Sequence, residues 1–201
     1  MQMRQRGFTL IEALVVVTVL AFLLVAGIPT ITDWLRNTRI RNASESIQNG
    51  LQQARNEAVR RNSNVSFWLV SLADPNQLAN SCALSSTSGS WVVSVDSPAT
   101  HCADDPSTTA SPKIVTAHPV GDGGSGVSVS ALQSDGATAA TSVTFNGFGQ
   151  VVNSTSIARI VLDSSASGAY RKLRVDISPA GQVRLCDLNV SSTSDPRHCP
   201  T

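Results

Sequence analysis

The 201-residue sequence has few aromatic side chains (4%), few charged ones (14%), and formal charges that nearly cancel at +1. That cancellation hides an uneven spread. Residues 62–201 hold seven Lys or Arg against ten Asp or Glu, a net of −3, so most of the chain has no broad positive field to draw nucleic acid or anionic lipid. Any such binding has to be local. Neither Gly-x-Ser-x-Gly nor His-Glu-x-x-His occurs, so His101, His118 and His198 lack the companions that hydrolase or metalloprotease chemistry needs. The segment Gly121-Asp122-Gly123-Gly124-Ser125-Gly126 has neither the Lys nor the Ser or Thr of a phosphate-cradling loop in the right place and reads as a turn. No Cys-x-x-Cys pair occurs either. His101-Cys102 and His198-Cys199 set two zinc-ligating residue types side by side, but without that spacing no metal is expected. The expectation is a chain with no cofactor that is not an enzyme.

What the sequence does hold is much Ser, Thr, Ala and Val, a composition that favours strands and polar turns. Its four cysteines, Cys82, Cys102, Cys186 and Cys199, all follow a long apolar segment, which points to an oxidising compartment and two disulfides. Proximity suggests Cys82 with Cys102 and Cys186 with Cys199, the two other pairings staying open, as do four free thiols in a cytosolic protein.

From Ala13 to Ile31, nineteen residues carry no charge, enough at about 1.5 Å per residue to cross a hydrocarbon core of about 30 Å. Glu12 is the only formal charge between Arg6 and Asp33. A signal peptide cut after Val25-Ala26-Gly27 would leave a secreted domain beginning near Ile28. Against that, the helical pattern continues: Ile40, Ala43, Ile47, Leu51, Ala54 and Ala58 recur at three- and four-residue steps. One helix from about Phe8 to about Arg61 is expected, with a kink or local melting near Val25 because Pro29 has no N–H to donate. Arg4 and Arg6 on one side and Arg36, Arg39 and Arg41 on the other leave its orientation undecided by charge. The cysteines place the C-terminal side in the oxidising space.

The run Gly7-Phe8-Thr9-Leu10-Ile11-Glu12, behind a short basic leader and ahead of an apolar helix with a Pro toward its far end, resembles the signal of type IV prepilins and type II secretion pseudopilins. The resemblance covers the first sixty residues. It implies that a membrane peptidase cuts after Gly7 on the cytoplasmic side and methylates Phe8, and that the helix is kept to become filament core. A carboxylate in hydrocarbon costs a few kcal/mol unless it finds a partner. The amine freed at Phe8 of a neighbouring subunit would supply one for Glu12 and set the axial register of assembly.

After Asn62 the helical steps give way to short alternating runs. Strands are expected over Val65 to Ser71, Trp91 to Asp96, Lys113 to Thr116, Val127 to Leu132, Val143 to Asn146, Ile157 to Leu162, Leu173 to Ile177 and Gln182 to Asp187. Residues 73–112 read as a long loop region around an apolar island at Trp91 to Val95, braced by the first cysteine pair. The segments VTFNGFGQV at 143–151 and RKLRVDISPAGQVRLC at 171–186 resemble the closing segments of the globular domain in the FimT, FimU and GspH group of minor pilins and pseudopilins. The fold implied is α+β and pilin-like, a long N-terminal helix packed through its second half on antiparallel sheet. Its parts would be a leader over 1–7, the helix over 8–61 with a transmembrane part at about 13–31, and a β-rich globular domain over 62–201.

In some members of that group a Gly-Arg-x-Arg segment binds DNA for uptake. Here the segment is Gly181-Gln182-Val183-Arg184, without the first Arg. Arg171, Lys172, Arg174, Arg184 and Arg197 are the candidates for a phosphate patch, with Lys172, Arg174 and Arg184 placed outward on adjacent strands; a solvated face of mixed charge is the favoured alternative. The function expected is that of a minor pilin in the complex that primes and caps a type IV pilus, with Glu12 steering helix packing and Pro29 aiding extraction from the bilayer. A DNA-uptake pilin and a type II secretion pseudopilin are the alternatives. The partners implied are other minor pilins and the major pilin, the prepilin peptidase, the inner-membrane assembly platform and membrane lipid. DNA is the unfavoured one. The location implied is the bacterial inner membrane, single-pass, and then the filament.

Overall fold

Among the described residues a single 52-residue helix, α1 (Leu10–Arg61), precedes nine strands. The computed structural model describes residues 9–166, 168 and 170–200, the side chains of residues 24–30 excepted. Gly7 and Phe8 therefore lie outside the described residues. The local melting expected near Val25 is not seen: α1 stays α-helical through Gly27 and Pro29, because the loss of one amide donor at Pro29 leaves the rest of the helical ladder in place. The chain divides into two units, Met1–Leu35 and Arg36–Thr201.

In the first unit α1 is apolar on every side, with Leu10, Ile11, Leu14, Val16, Phe22 and Leu23 all exposed. Its interior hydroxyl, Thr18, donates back to the Val15 carbonyl at 2.8 Å, so it needs no water partner. Among the described residues no helix is long and apolar enough to cross a membrane; the expected span over 13–31 runs into residues 24–30, outside that set.

In the second unit the rest of α1 is amphipathic. Ile40, Ala43, Ile47, Leu51, Ala54 and Ala58, the residues whose spacing marked the helix, are all buried, while Asn49, Gln52, Gln53 and Asn56 stay exposed. The helix ends where Asn62 takes a left-handed conformation (φ 48°): its N–H bonds the Val59 carbonyl and the Ser63 N–H bonds that of Ala58. These two bonds satisfy carbonyls that the last turn would otherwise leave open.

The strands are β1 (Val65–Ser71), β2 (Ala83–Leu84), β3 (Ser90–Ser94), β4 (Ile114–His118), β5 (Val127–Leu132), β6 (Ser142–Phe145), β7 (Arg159–Ser164), β8 (Leu173–Ile177) and β9 (Val183–Asp187). They form two antiparallel sheets. One has the order β2-β1-β3-β4 with β6 also on β1, and the other β5-β7-β8-β9. Alternation sorts the side chains of β1: Val65, Phe67 and Leu69 join the core under the helix, while Trp68 and Val70 enter a second cluster with Val92, Cys82, Cys102 and Ile114. From the other sheet Val129, Ala131, Ile160, Leu162, Leu173, Val175 and Ile177 enter the first core. Each large aliphatic buried in this way contributes roughly 1.5–3 kcal/mol.

Helix and sheet meet closely at Gly50. A Cβ there would stand 2.9 Å from the rings of both Phe67 and Trp91, so only glycine lets the helix backbone approach. Trp91 is fixed further by donating to Ser46 Oγ at 3.0 Å and stacking on His118.

The apolar island at Trp91 to Val95 is more than a brace in a loop. It supplies β3, a central strand between β1 and β4 with every residue buried. The loops on either side of β2 and β3 are joined by the Cys82–Cys102 disulfide, whose two cysteines pack with Trp68, Val70 and Val92 on the other face of that sheet. This cover explains why both faces of β1 are buried. The glycine-rich segment 121–126 leads into β5 rather than a helix, as expected of a turn.

Candidate functional site

Two regions carry the residues that the sequence marked, and the first is the start of α1. Thr9 precedes the helix, and its Oγ1 accepts a hydrogen bond from the Glu12 amide at 3.3 Å. The Ala13 amide bonds the Thr9 carbonyl. Thr9 is thus the N-cap and Glu12 the third residue of the first turn, where a carboxylate lies in the favourable field of the open amides. Glu12 is exposed, so its carboxylate is open to a partner.

The second region is the face of β8 and β9. Register sets Asp176 opposite Arg184 and Arg174 opposite Cys186, so Lys172, Arg174, Asp176, Arg184 and Cys186 share one face, as the alternation expected. The face is not open, however. The Cys186–Cys199 disulfide draws the C-terminal tail across it, the Asp187 amide bonds the Arg197 carbonyl at 2.7 Å, and Asp187 pairs in parallel with His198. Arg184 Nη2 donates to the carbonyls of Pro196 (3.0 Å) and His198 (3.2 Å).

The expected outward position of Arg174 is therefore corrected: the residue is 9% exposed. Its Nη2 donates to Asp176 Oδ2 at 2.9 Å and to the Pro200 carbonyl. Its Nε lies 2.7 Å from Asp176 Oδ1 without hydrogen-bond alignment. The other basic candidates are matched too: Arg171 lies 3.6 Å from Asp187, Lys172 3.4 Å from Asp163, and Arg197 2.8 Å from Asp195. Hydrogen bonds from the Arg197 side chain, and then from its amide, hold the Asp195 carboxyl down at about 2, and the same contact raises Arg197. The five cations thus sit among carboxylates and carbonyls of their own chain.

The cysteines form two disulfides, Cys82–Cys102 and Cys186–Cys199, the pairing that proximity suggested. Neither His101-Cys102 nor His198-Cys199 therefore offers a thiolate to zinc. His101 Nδ1 lies 2.8 Å from Asp104 Oδ2, and His198 Nδ1 lies 2.8 Å from the Val190 carbonyl.

Three features escaped the sequence reading. Arg36 lies over the Tyr170 ring and donates to its hydroxyl, while the Arg171 amide donates to Asn37 Oδ1 at 2.9 Å, which fastens the chain before β8 to the helix. Arg55 Nε donates to the Gly149 carbonyl at 3.1 Å, where Gly181 (φ 76°) comes so near that an added Cβ would stand 1.8 Å from that oxygen. The two resemblance segments at 143–151 and 171–186 therefore meet at Gly149 and Gly181 on the helix. Arg159 opens β7 beside a groove. No short-range signal marks these contacts, since each joins residues far apart in sequence.

A family model described as type II transport protein GspH matches residues 43–181, and one described as prokaryotic N-terminal methylation motif matches residues 2–28. Among solved structures the chain is similar to two crystal structures of the type IV minor pilin FimU of Pseudomonas aeruginosa strain PAO1, each at 18% identity. The one in space group P65 has a TM-score of 0.45 over 72% of this chain and 90% of that one. The one in P21 has 0.47 over 73% and 87%. No curated protein matches the chain.

Proposed function

The chain belongs to the family of the type II transport protein GspH, in the group of minor pilins and pseudopilins that carry the N-terminal methylation motif, and from that membership we propose that it is a minor pilin of a type IV pilus. The observation that carries this reading is the order of parts: the methylation motif over 2–28 leads into α1, whose second half begins the domain matched over 43–181. A retained helix is an assembly element, whereas a discarded signal peptide is not.

In this reading prepilin peptidase cleaves after Gly7 and methylates Phe8. The helix rests in the inner membrane with the disulfide-bonded domain in the periplasm, and subunits associate through their helices. Glu12 is the guide. Its carboxylate, eased in the monomer by the helix start, is neutralised by the amine at Phe8 of a neighbour. Pro29 loosens the helix for extraction toward the filament. The chain then joins other minor pilins, on the assembly platform, in the complex that primes and caps the major-pilin filament.

A second reading, a pseudopilin of type II secretion, is favoured by the description of the matched family itself. DNA uptake draws less support, because Arg171, Lys172, Arg174 and Arg197 are ion-paired within the chain and the Arg184 donors are engaged by carbonyls of the tail. Immunoblotting of filaments sheared from the cell surface tests the proposal. Presence of the chain there, lost on deleting the pilus assembly platform but not the secretion platform, supports it. Dependence on the secretion platform alone contradicts it in favour of the pseudopilin.

A further inference from the structure

At one end of the β5-β7-β8-β9 sheet, the first residue of β7, the last residues of β8 and the C-terminal tail enclose a groove of about 460 Å³. Two arginines face it. Arg174 is ion-paired with Asp176 and donates to the Pro200 carbonyl. Arg159 is half-buried, yet its side chain has neither a hydrogen bond nor an ion pair among the described residues. Its neighbour across the strand pair is Asp176, whose carboxylate already pairs with Arg174. Asp135, in the turn beside it, is occupied by the Thr138 hydroxyl and the amides of Ala137 and Thr138. Gly136 lets the guanidinium lie against that turn, since a Cβ there would stand 3.0 Å from Arg159 Nη1.

The Arg159 guanidinium nitrogens reach solvent, and their donors are not committed to any acceptor of the chain, so they are open to a ligand. The guanidinium matches the planar, two-oxygen geometry of a carboxylate. The groove beside it has apolar walls in Val151, Pro179 and Pro200, over a floor at Ile157 and Ile177. We propose that this groove binds an acidic peptide segment of a partner protein, Arg159 receiving an Asp or Glu carboxylate and the Val151–Pro179–Pro200 wall receiving an adjoining apolar side chain.

Charge and surface both favour a peptide over a nucleic acid here. Phosphodiester binding gains affinity by neutralising several phosphates along a strand, and it needs several free cations to do so. Arg159 is the free guanidinium of this groove: Arg174 is ion-paired with Asp176, and farther along the face Arg197 is ion-paired with Asp195 while the Arg184 donors are engaged by carbonyls of the tail. An apolar wall gives a phosphate backbone nothing, whereas it shelters an alkyl side chain from water.

The test is nuclear magnetic resonance of the full isotope-labelled chain in detergent micelles, observing the Arg159 Nε–H and the Val151 methyls. The probes are acetyl-Leu-Asp-Leu-amide, its Leu-Asn-Leu counterpart, inorganic phosphate and a thymidine oligonucleotide. The acidic peptide is expected to shift both sets of signals saturably, with a Kd on the order of millimolar. The Asn peptide and the Arg159→Ala variant should each weaken binding by about tenfold or more, as loss of a charge-assisted pair does. Arg184→Ala should leave it unchanged, and unshifted Ile177 methyls in Arg159→Ala would show that the variant is folded. Equal binding of the acid and amide peptides, no effect of Arg159→Ala, or shifts from phosphate or oligonucleotide as large as those from the acidic peptide would each overturn the proposal. The outcome is independent of which filament system the chain serves.

Discussion

Thr9 Oγ1 receives the Glu12 amide at 3.3 Å, so the only acid of the apolar stretch occupies the first turn of the helix that Thr9 caps. The position suits the charge, because the open amides of a helix start favour an anion. Thr9→Ala is expected to destabilise the helix start by about 1 kcal/mol and Thr9→Ser by much less, seen as faster amide exchange at Leu10 to Ala13 in the first variant only. Glu12→Gln, which keeps the size and removes the charge, should enter filaments poorly while its membrane level stays normal. Wild-type incorporation of Glu12→Gln would remove the register role.

Gly50 is expected to resist substitution although it lies inside a helix. Alanine there gains about 1 kcal/mol in helix propensity, yet its Cβ would sit 2.9 Å from Phe67 and Trp91, and overpacking costs about 1–3 kcal/mol. Gly50→Ala should lower the Tm or leave it nearly unchanged, and Gly50→Leu should lower it by several degrees more. A thermal melt of the two variants checks this, and a Tm raised by both would show that the contact is loose.

The Cys82–Cys102 disulfide closes a separation of 20 residues and ties down the cover over Trp68, Val70 and Val92. The double variant Cys82→Ser with Cys102→Ser should lose about 3 kcal/mol in stability toward denaturant. Because Trp68 lies in that cluster and not under the helix, its fluorescence should report the loosening first. Coincident loss of helix and Trp68 signals would show a single cooperative unit.

The ion pair of Asp195 with Arg197 sets a pH dependence in the tail. The Asp195 carboxyl is held at about 2 in the folded chain against an ordinary 3.8, so its favourable contribution is present above about 4 and is lost as pH falls toward 2. Arg197→Ala should return the carboxyl toward its ordinary range, as a carbon-detected titration of Asp195 would show. An unchanged titration would assign the shift to the tail backbone instead.

Much of this fold is legible in the sequence where periodicity decides the outcome. The six residues that marked the helix face are its buried hydrophobic residues, and Val65–Ser71, Val127–Leu132 and Leu173–Ile177 are strands with the bounds that alternation gave. Boundaries move where a distant partner intervenes. β7 begins at Arg159 rather than Ile157, because the Ile157 amide bonds the Ser142 carbonyl beyond the strand pair. The two-residue, exposed β2 is too short to show any period. The basic face shows the larger gap: alternation placed Lys172, Arg174 and Arg184 on one side, but the tail that buries Arg174 arrives through a disulfide and carbonyl contacts that no local pattern encodes. Arg159 was invisible for the same reason, since an Arg ahead of an apolar run reads as an ordinary strand end.

The most direct test is mass spectrometry of the N-terminal peptide of the mature protein isolated from membranes. The account predicts a chain that begins at N-methylated Phe8, with the apolar helix and Glu12 retained. A mature chain beginning near Ile28 would contradict it, because the helix would then be a discarded signal and Glu12 would have no filament to guide.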